Sequence, residues 1–250
     1  SLRRQRQMCI RDSSPSDRVH STGNKRPRTI LSFGVGSEAA YAEFGTLPSL
    51  PQMPELTPMS IRTRAVDLYD TTLRDGVQRE GLSLSLDDKI KVAQRLDRLG
   101  VQYIEGGYPG SNARDQEFFA RAATMRWQSA TIVAFGSSRY KDNRADEDPS
   151  LRALVEAGTS VVTIVCKNSA SQVRDVLGVP LAQNLEMIAD SVTFLREHGK
   201  RVFYDAEHFF DGYRADSAYA MNCLRAAASA GAEALVLCDT NGGTLPQDIA

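Results

Sequence analysis

Leu68-Tyr69-Asp70-Thr71-Thr72-Leu73-Arg74-Asp75-Gly76-Val77-Gln78 is the stretch on which the fold turns. A short apolar run, 66–69, ends there in a burst of polar residues, and a helix-like pattern follows. Arg74 and Asp75 stand side by side where a strand would hand over to a loop. In an α/β protein that handover collects catalytic groups, because the strand end is rigid and the loop is exposed. Taken alone, the pair reads more plainly as a structural ion pair in a turn. The rest of the chain changes the balance.

The same alternation recurs downstream. Apolar runs fall at 66–69, 101–104, 131–135, 161–165, 202–204 and 234–237. They are short, β-branched or aromatic, and nearly continuous, as strands buried on both faces are. Helical patterns lie between them. Ser85-Leu86-Asp87-Asp88 reads as a capping box; Ile90, Ala93, Leu96 and Leu99 then keep one face, and Gly100 stops the helix. Asn112 caps a second helix carrying Phe118, Phe119 and Ala122, and Asp148-Pro149 opens a third that Gly158 ends. Pro180 leads a fourth through Leu185, Ile188, Val192 and Leu195 to Gly199. Ala218, Met221, Leu224 and Ala228 mark a fifth, ended by Gly231, and Thr244-Leu245-Pro246-Gln247 opens a sixth. Strands recur every ~30–40 residues, the spacing of right-handed βα crossovers. Six such units predict an α/β fold: a (β/α)8 TIM barrel, incomplete, lacking its last two units. The alternative is an open doubly wound sheet. That fold usually carries a glycine-rich phosphate fingerprint after its first strand, where this chain has 70–78 instead.

Residues 1–60 read differently. They are rich in Arg, Ser and Pro and keep no helix or strand period. Arg3, Arg4, Arg6, Arg11 and Arg18 make the start basic; Lys25-Arg26-Pro27-Arg28 would pass for a nuclear signal, and the whole for an organellar transit peptide. A third reading fits better: Met8-Cys9-Ile10-Arg11-Asp12-Ser13 resembles the translation of a transposon mosaic end used to prepare sequencing libraries. The expectation is a disordered or artefactual leader over 1–60, with Met59 as the natural start, and a partial barrel over 61–250.

Composition narrows the function. The 250 residues carry a formal net charge of −1 and are 42% hydrophobic, enough for a sizeable core. Nothing in that balance favours nucleic acid or an acidic membrane, and no apolar run is long enough to span a bilayer. Cys9, Cys166, Cys223 and Cys238 include no CxxC pair, so neither a zinc knuckle nor a disulfide framework is indicated. Reduced thiols in a cytoplasm fit.

In a parallel barrel the residues just after each strand meet at one face. Here they are Arg74 and Asp75, Glu105, Ser137 and Ser138, Lys167 and Asn168, Glu207 and His208, then Asp239, Thr240 and Asn241. Ser137, Ser138 and Asp239 are expected to cap or to bond within loops. Arg74, Glu105, Lys167, Glu207 and His208 are not cap residues. So many at one rim argue for a site that binds a small polyanion and a cation. The carboxylates Asp75, Glu105, Glu207 and Asp239 do not form a complete cation shell by spacing. A lone His208 is more commonly a structural hydrogen-bonder than a ligand. Thr240-Asn241-Gly242-Gly243-Thr244 could cradle a phosphate on the next helix N-terminus, although a short Gly-Gly run usually marks only a turn.

Leu73-Arg74-Asp75-Gly76-Val77-Gln78, followed after ten residues by Lys89, resembles the first signature of the isopropylmalate and homocitrate synthase family. The stretches Ile104 to Asn112, Asp205 to Gly212 and Leu237 to Gly243 resemble its citramalate synthase branch. The resemblance implies a barrel on which acetyl-CoA is deprotonated at its methyl carbon. The enolate attacks the keto carbon of a 2-oxo acid, pyruvate in this branch, and the thioester is then hydrolysed. It implies a divalent metal (Mg, Mn or Zn) with Asp75 as first ligand, acetyl-CoA as co-substrate, and Arg74 stabilising the developing oxyanion. By the same resemblance Glu207 is the catalytic carboxylate, Gln78 orients neighbouring groups, Thr240 binds the substrate carboxylate and Glu105 supports them. The family's His-x-His ligands would follow a seventh strand, which this chain does not contain. The expectations are therefore an inactive fragment of a cytoplasmic, homodimeric acyltransferase, and open edges on the first and sixth strands. The alternatives are 2-oxoisovalerate as acceptor, giving isopropylmalate; a metal-dependent lyase or aldolase of the same superfamily; and a truncated barrel that serves as an interaction module.

Overall fold

The computed structural model describes residues 7–13, 28–34 and 65–249, with side chains from 66 to 249. Eight strands close into a barrel: β1 (Gln7–Ser13), β2 (Arg28–Gly34), β3 (Ala65–Asp70), β4 (Tyr103–Gly107), β5 (Thr131–Ser137), β6 (Val161–Lys167), β7 (Arg201–Glu207) and β8 (Ala234–Leu237). The helices are α1 (Leu86–Leu99), α2 (Ala113–Ala123), α3 (Pro149–Glu156), a short α4 (Ala170–Gln172), α5 (Leu181–Glu197), α6 (Phe209–Ala215) and α7 (Ser217–Ala230).

Strands β3 to β8 pair in sequential order and all run parallel. These are the six expected βα strands. The helices start and stop where local chemistry directs. Ser85 Oγ accepts from Asp88 N at 3.2 Å and Ser85 N reaches back to the Asp88 carboxylate, while Gly100, at φ +88°, ends α1. Asn112 Oδ1 accepts from Asp115 N at 2.9 Å to open α2. Asp148 accepts from Ser150 N and Leu151 N to open α3, with Pro149 in its first turn.

Three expectations need correction. The first concerns the barrel's edges. β1 pairs antiparallel with both β2 and β3, and β2 pairs parallel with β8. The edges of β3 and β8 are thus covered, by segments from a stretch expected to hold no regular structure. Unpaired edge N–H and C=O groups are costly, and 8–10 and 29–31 are among the leader's β-prone runs. The second concerns the helix expected from 244–247. It is only a 3-10 turn, Pro246–Asp248. Thirdly, two crossovers expected to hold one helix each hold more: α4 and a π turn, Val173–Leu177, precede α5, and α6 precedes α7. Asp216 starts α7 afresh by accepting from Tyr219 N at 3.0 Å.

The core has two parts. Leu73, Ile90, Ile104, Phe118, Leu154, Ile164 and their neighbours fill the layer between helices and sheet. Tyr69, Tyr103, Val133, Val161, Phe203, Ala234, Val236 and Cys238 pack inside the barrel. Tyr103 and Phe203 meet edge to face at 5.1 Å between centroids, and Tyr69 lies about equally close to both, at 6.1 and 6.0 Å. At the barrel's N-terminal end, Asp97 accepts from Gln128 N, Ser129 N and Ala130 N. The single tryptophan, Trp127, is beside it, its Nε1 donating to Ala122 O at 3.1 Å.

Candidate active site

Side chains alternate across a strand, so one inward position fixes the rest. Tyr103 points inward, and so does Glu105; Phe203 points inward, and so do Asp205 and Glu207; Val161 sets Thr163 and Lys167. The inner face is therefore aromatic where the strands begin and charged where they end.

Arg74 lies at the charged end. Its Nε donates to Glu105 Oε1 at 2.5 Å, its Nη1 to Asp75 Oδ1 at 3.1 Å, and its guanidinium stacks 3.8 Å from the Phe135 centroid. Glu105 is 1% exposed. Its second oxygen accepts from Tyr69 OH at 2.5 Å, and that hydroxyl also bonds Thr163 Oγ1 at 2.7 Å. Burial alone would lower the Arg74 pKa, but Glu105, Asp205 and Asp75 together raise it, so it stays a cation. Its remaining N–H groups are available to a substrate oxygen.

Asp205 lies two residues before Glu207 on the same face. Burial, reinforced by Glu105 and Glu207 and opposed by Cys238 and Arg74, pushes its carboxyl up to about 7. Cys238 Sγ donates to its Oδ1 at 2.9 Å. Lys167 and Glu207 are register partners on β6 and β7 and form an ion pair. Both line a cavity of about 570 Å³, walled also by Ser137, Tyr140, Pro149 and Leu177.

The expected residues divide as follows. Arg74, Asp75 and Glu105 form one bonded group, and Lys167 with Glu207 a second. Thr240 Oγ1 accepts from His208 N at 2.9 Å. His208 is the only non-glycine with positive φ among the described residues, at 54°, so that bond holds a strained corner. Its Nδ1 is 3.6 Å from Asp211 Oδ2, beyond hydrogen-bonding distance. Gln78 is exposed in the 3-10 turn Gly76–Gln78 beyond Asp75. Asp239 accepts from Thr244 N and Oγ1, a loop bond as expected; Ser137, at the end of β5, bonds Tyr108 OH, and Ser138 N donates to Val165 O of β6, which extends the strand pairing.

Lys89, of the signature spacing, is 2% exposed. Its Nζ meets Asp115 Oδ1 at 2.5 Å, and Asp115 Oδ2 accepts from Tyr108 N at 2.8 Å. Gly107, at φ +152°, admits that carboxyl 2.5 Å from where a Cβ would stand. Lys89 thus fixes the loop after β4.

Sequence reasoning missed Tyr69, Thr163 and Asp205 as members of the site. The available signal was parity: an acid two residues before Glu207, within a strand buried on both faces, has to point into the barrel.

A divalent cation was expected on Asp75. Asp75 offers one carboxylate, already bonded to Arg74, and the described residues hold no group of three or more His, Cys, Asp or Glu that would complete a shell. The side chains described do not fit a metal site by themselves, and no step below runs through one. Among the described residues, no helix is long and apolar enough to cross a membrane.

Comparison with known proteins gives a consistent pattern. The model of the HMGL-like family matches residues 65–250. An (R)-citramalate synthase of Synechocystis is 51% identical over 192 residues, 77% of this chain and 35% of that protein. A 2-isopropylmalate synthase of Halalkalibacterium halodurans is 33% identical over 187 residues, 74% of this chain and again 35% of that protein. The chain spans about a third of the length of these curated relatives. Among solved structures, the HMG-CoA lyase of Bacillus subtilis aligns with a TM-score of 0.59 at 18% identity, covering 72% of this chain and 60% of that one, a likeness of fold.

Proposed function

The chain belongs to the HMGL-like family, and from that premise we propose that the protein carrying it is an acyltransferase that condenses acetyl-CoA with a 2-oxo acid, pyruvate, to give citramalate. Support comes from the convergence of Arg74 and Glu207 on the inner face above Asp205, in a chain 51% identical to a named (R)-citramalate synthase. Glu207 takes a proton from the acetyl methyl group, and the C–H electron pair becomes an enolate. The enolate carbon attacks the keto carbon of the 2-oxo acid, Arg74, rigidly held by Glu105 and Phe135, stabilises the oxyanion that results, and that oxyanion takes back the proton held by Glu207 to become the product hydroxyl. Thr240 donates its hydroxyl to the substrate carboxylate, Gln78 orients groups from the rim, and Glu105 holds Arg74. The cavity beside Glu207 receives the thioester arm. Water then cleaves the thioester, releasing CoA.

A divalent cation, if the complete protein holds one, would take Asp75 as one ligand and would need others outside the described residues. The complete protein acts on small molecules in the cytoplasm as a homodimer. The near-neutral charge of these 250 residues gives no electrostatic support for a nucleic-acid or membrane partner.

The test supplies the complete protein with acetyl-CoA and either pyruvate or 2-oxoisovalerate, following thiol release and the mass of the product. Citramalate as the major product is expected. Isopropylmalate would move the acceptor to the alternative, and neither product would end the reading. Residues 1–250 by themselves should form none, and citramalate from that piece would overturn the claim that its ligand set is insufficient.

A further inference from the structure

The Lys167–Glu207 pair does more than line the cavity. The two residues face each other across adjacent strands, each about a quarter exposed, at 25% and 27%. Their bond runs from Lys167 Nζ to Glu207 Oε2, and Glu207 Oε1 makes no hydrogen bond among the described residues. The mount beneath Lys167 is buried and polar. Its carbonyl accepts from Asn184 Nδ2 at 3.0 Å, and Asn184 also donates to Tyr219 OH at 2.8 Å. On the next residue, Asn168 Nδ2 donates to Cys166 O at 3.0 Å and Asn168 Oδ1 accepts from Tyr204 OH at 2.9 Å. Asn168 and Asn184 are both 0% exposed. An ordinary surface ion pair gains little and needs no such foundation. A site that must hold a reacting group in one geometry does.

We propose that Lys167 is a positioning residue for the general base, holding the Glu207 carboxylate aimed over the cavity. This rests on the acyl-condensing reading above. When Glu207 takes the methyl proton, the C–H bond breaks, its electron pair passes to the enolate, and negative charge leaves the carboxylate for the thioester oxygen. The neutral Glu207 then releases its hold on Lys167, whose ammonium is left beside the new anion. One cation therefore serves the charge at both ends of the transfer, and its own proton never moves. The other charged groups nearby are Asp205 on the same strand, Arg74 and Glu105, which with Glu207 act on Asp205, His208 immediately after Glu207, and Arg139, Lys141 and Asp148, which line the same cavity.

The test is exchange of the acetyl-CoA methyl protons with deuterated water in the complete protein, read by the mass of the recovered thioester. K167A is expected to exchange about tenfold to a hundredfold more slowly, with KM for pyruvate within about twofold of the parent. Added methylammonium is expected to restore exchange in K167A, and not in K167M, where the side chain fills the space. K167R keeps the charge and should retain most of the rate, which guards against a variant that fails to fold. Exchange at the parent rate in K167A would overturn the proposal, and so would a loss that methylammonium does not mend accompanied by a raised KM. If the parent forms no citramalate and exchanges no proton, the functional reading fails and takes this proposal with it. An active parent matched by K167A sinks the proposal alone.

Discussion

At the scale of single residues, Arg74 is held in three ways at once: by Glu105 through Nε, by Asp75 through Nη1, and by the face of Phe135. Lysine keeps the charge but has neither the fork nor the flat face. R74K in the complete protein should therefore lower turnover by about a hundredfold or more, with the circular dichroism spectrum unchanged. Turnover close to the parent's would show that Arg74 acts as a bare charge. Asp205 predicts an unusual pH dependence. Burial pushes its folded carboxyl up to about 7 from the ordinary 3.8, so the native state binds the proton more tightly than the unfolded chain does. Stability should thus fall as pH rises from about 4 to about 7, then level off. D205N should remove that slope in urea titrations across the window, and an unchanged slope would place its origin elsewhere. Arg74 and Asp75 were legible in the sequence because a strand-to-loop handover shows in the apolar pattern. Asp205 was overlooked because a mid-strand position draws notice only once its neighbour's direction is known.

At the scale of elements, Lys89 joins α1 to α2 and to the loop after β4 through one carboxylate. The pair is 3% and 14% exposed, so removing the ammonium leaves Asp115 nearly buried without its cation. K89M should cost about 3 kcal/mol in denaturant unfolding. A loss near zero would mean that the bonds from Tyr108 and Asn112 to Asp115 suffice. The caps of α1, α2 and α3 were readable because a cap is settled within four residues of chain. The π turn Val173–Leu177 and the break between α6 and α7 were not. Their residues, Val173 and Phe209 among them, follow the core against which they pack, and a local pattern carries little of that.

At the scale of the whole molecule, six βα units could be counted from spacing alone, whereas closure could not. The seam depends on two segments far away in sequence whose register is set by the edges they cover. Deleting residues 1–60 should bare β3 and β8 and produce larger particles in light scattering at fixed concentration, while a monodisperse deletion variant would show that those edges need no cover. The placement of Trp127 has an optical consequence. The one indole of these 250 residues reports from the base of the barrel, while the proposed chemistry sits at its mouth, a seven-residue strand or ~20 Å away. Tryptophan emission should follow the melting of the α2–β5 corner and stay indifferent to whatever enters above. A light signal that answers to ligand would have to be installed, for instance by placing a second indole at Tyr140 on the cavity rim.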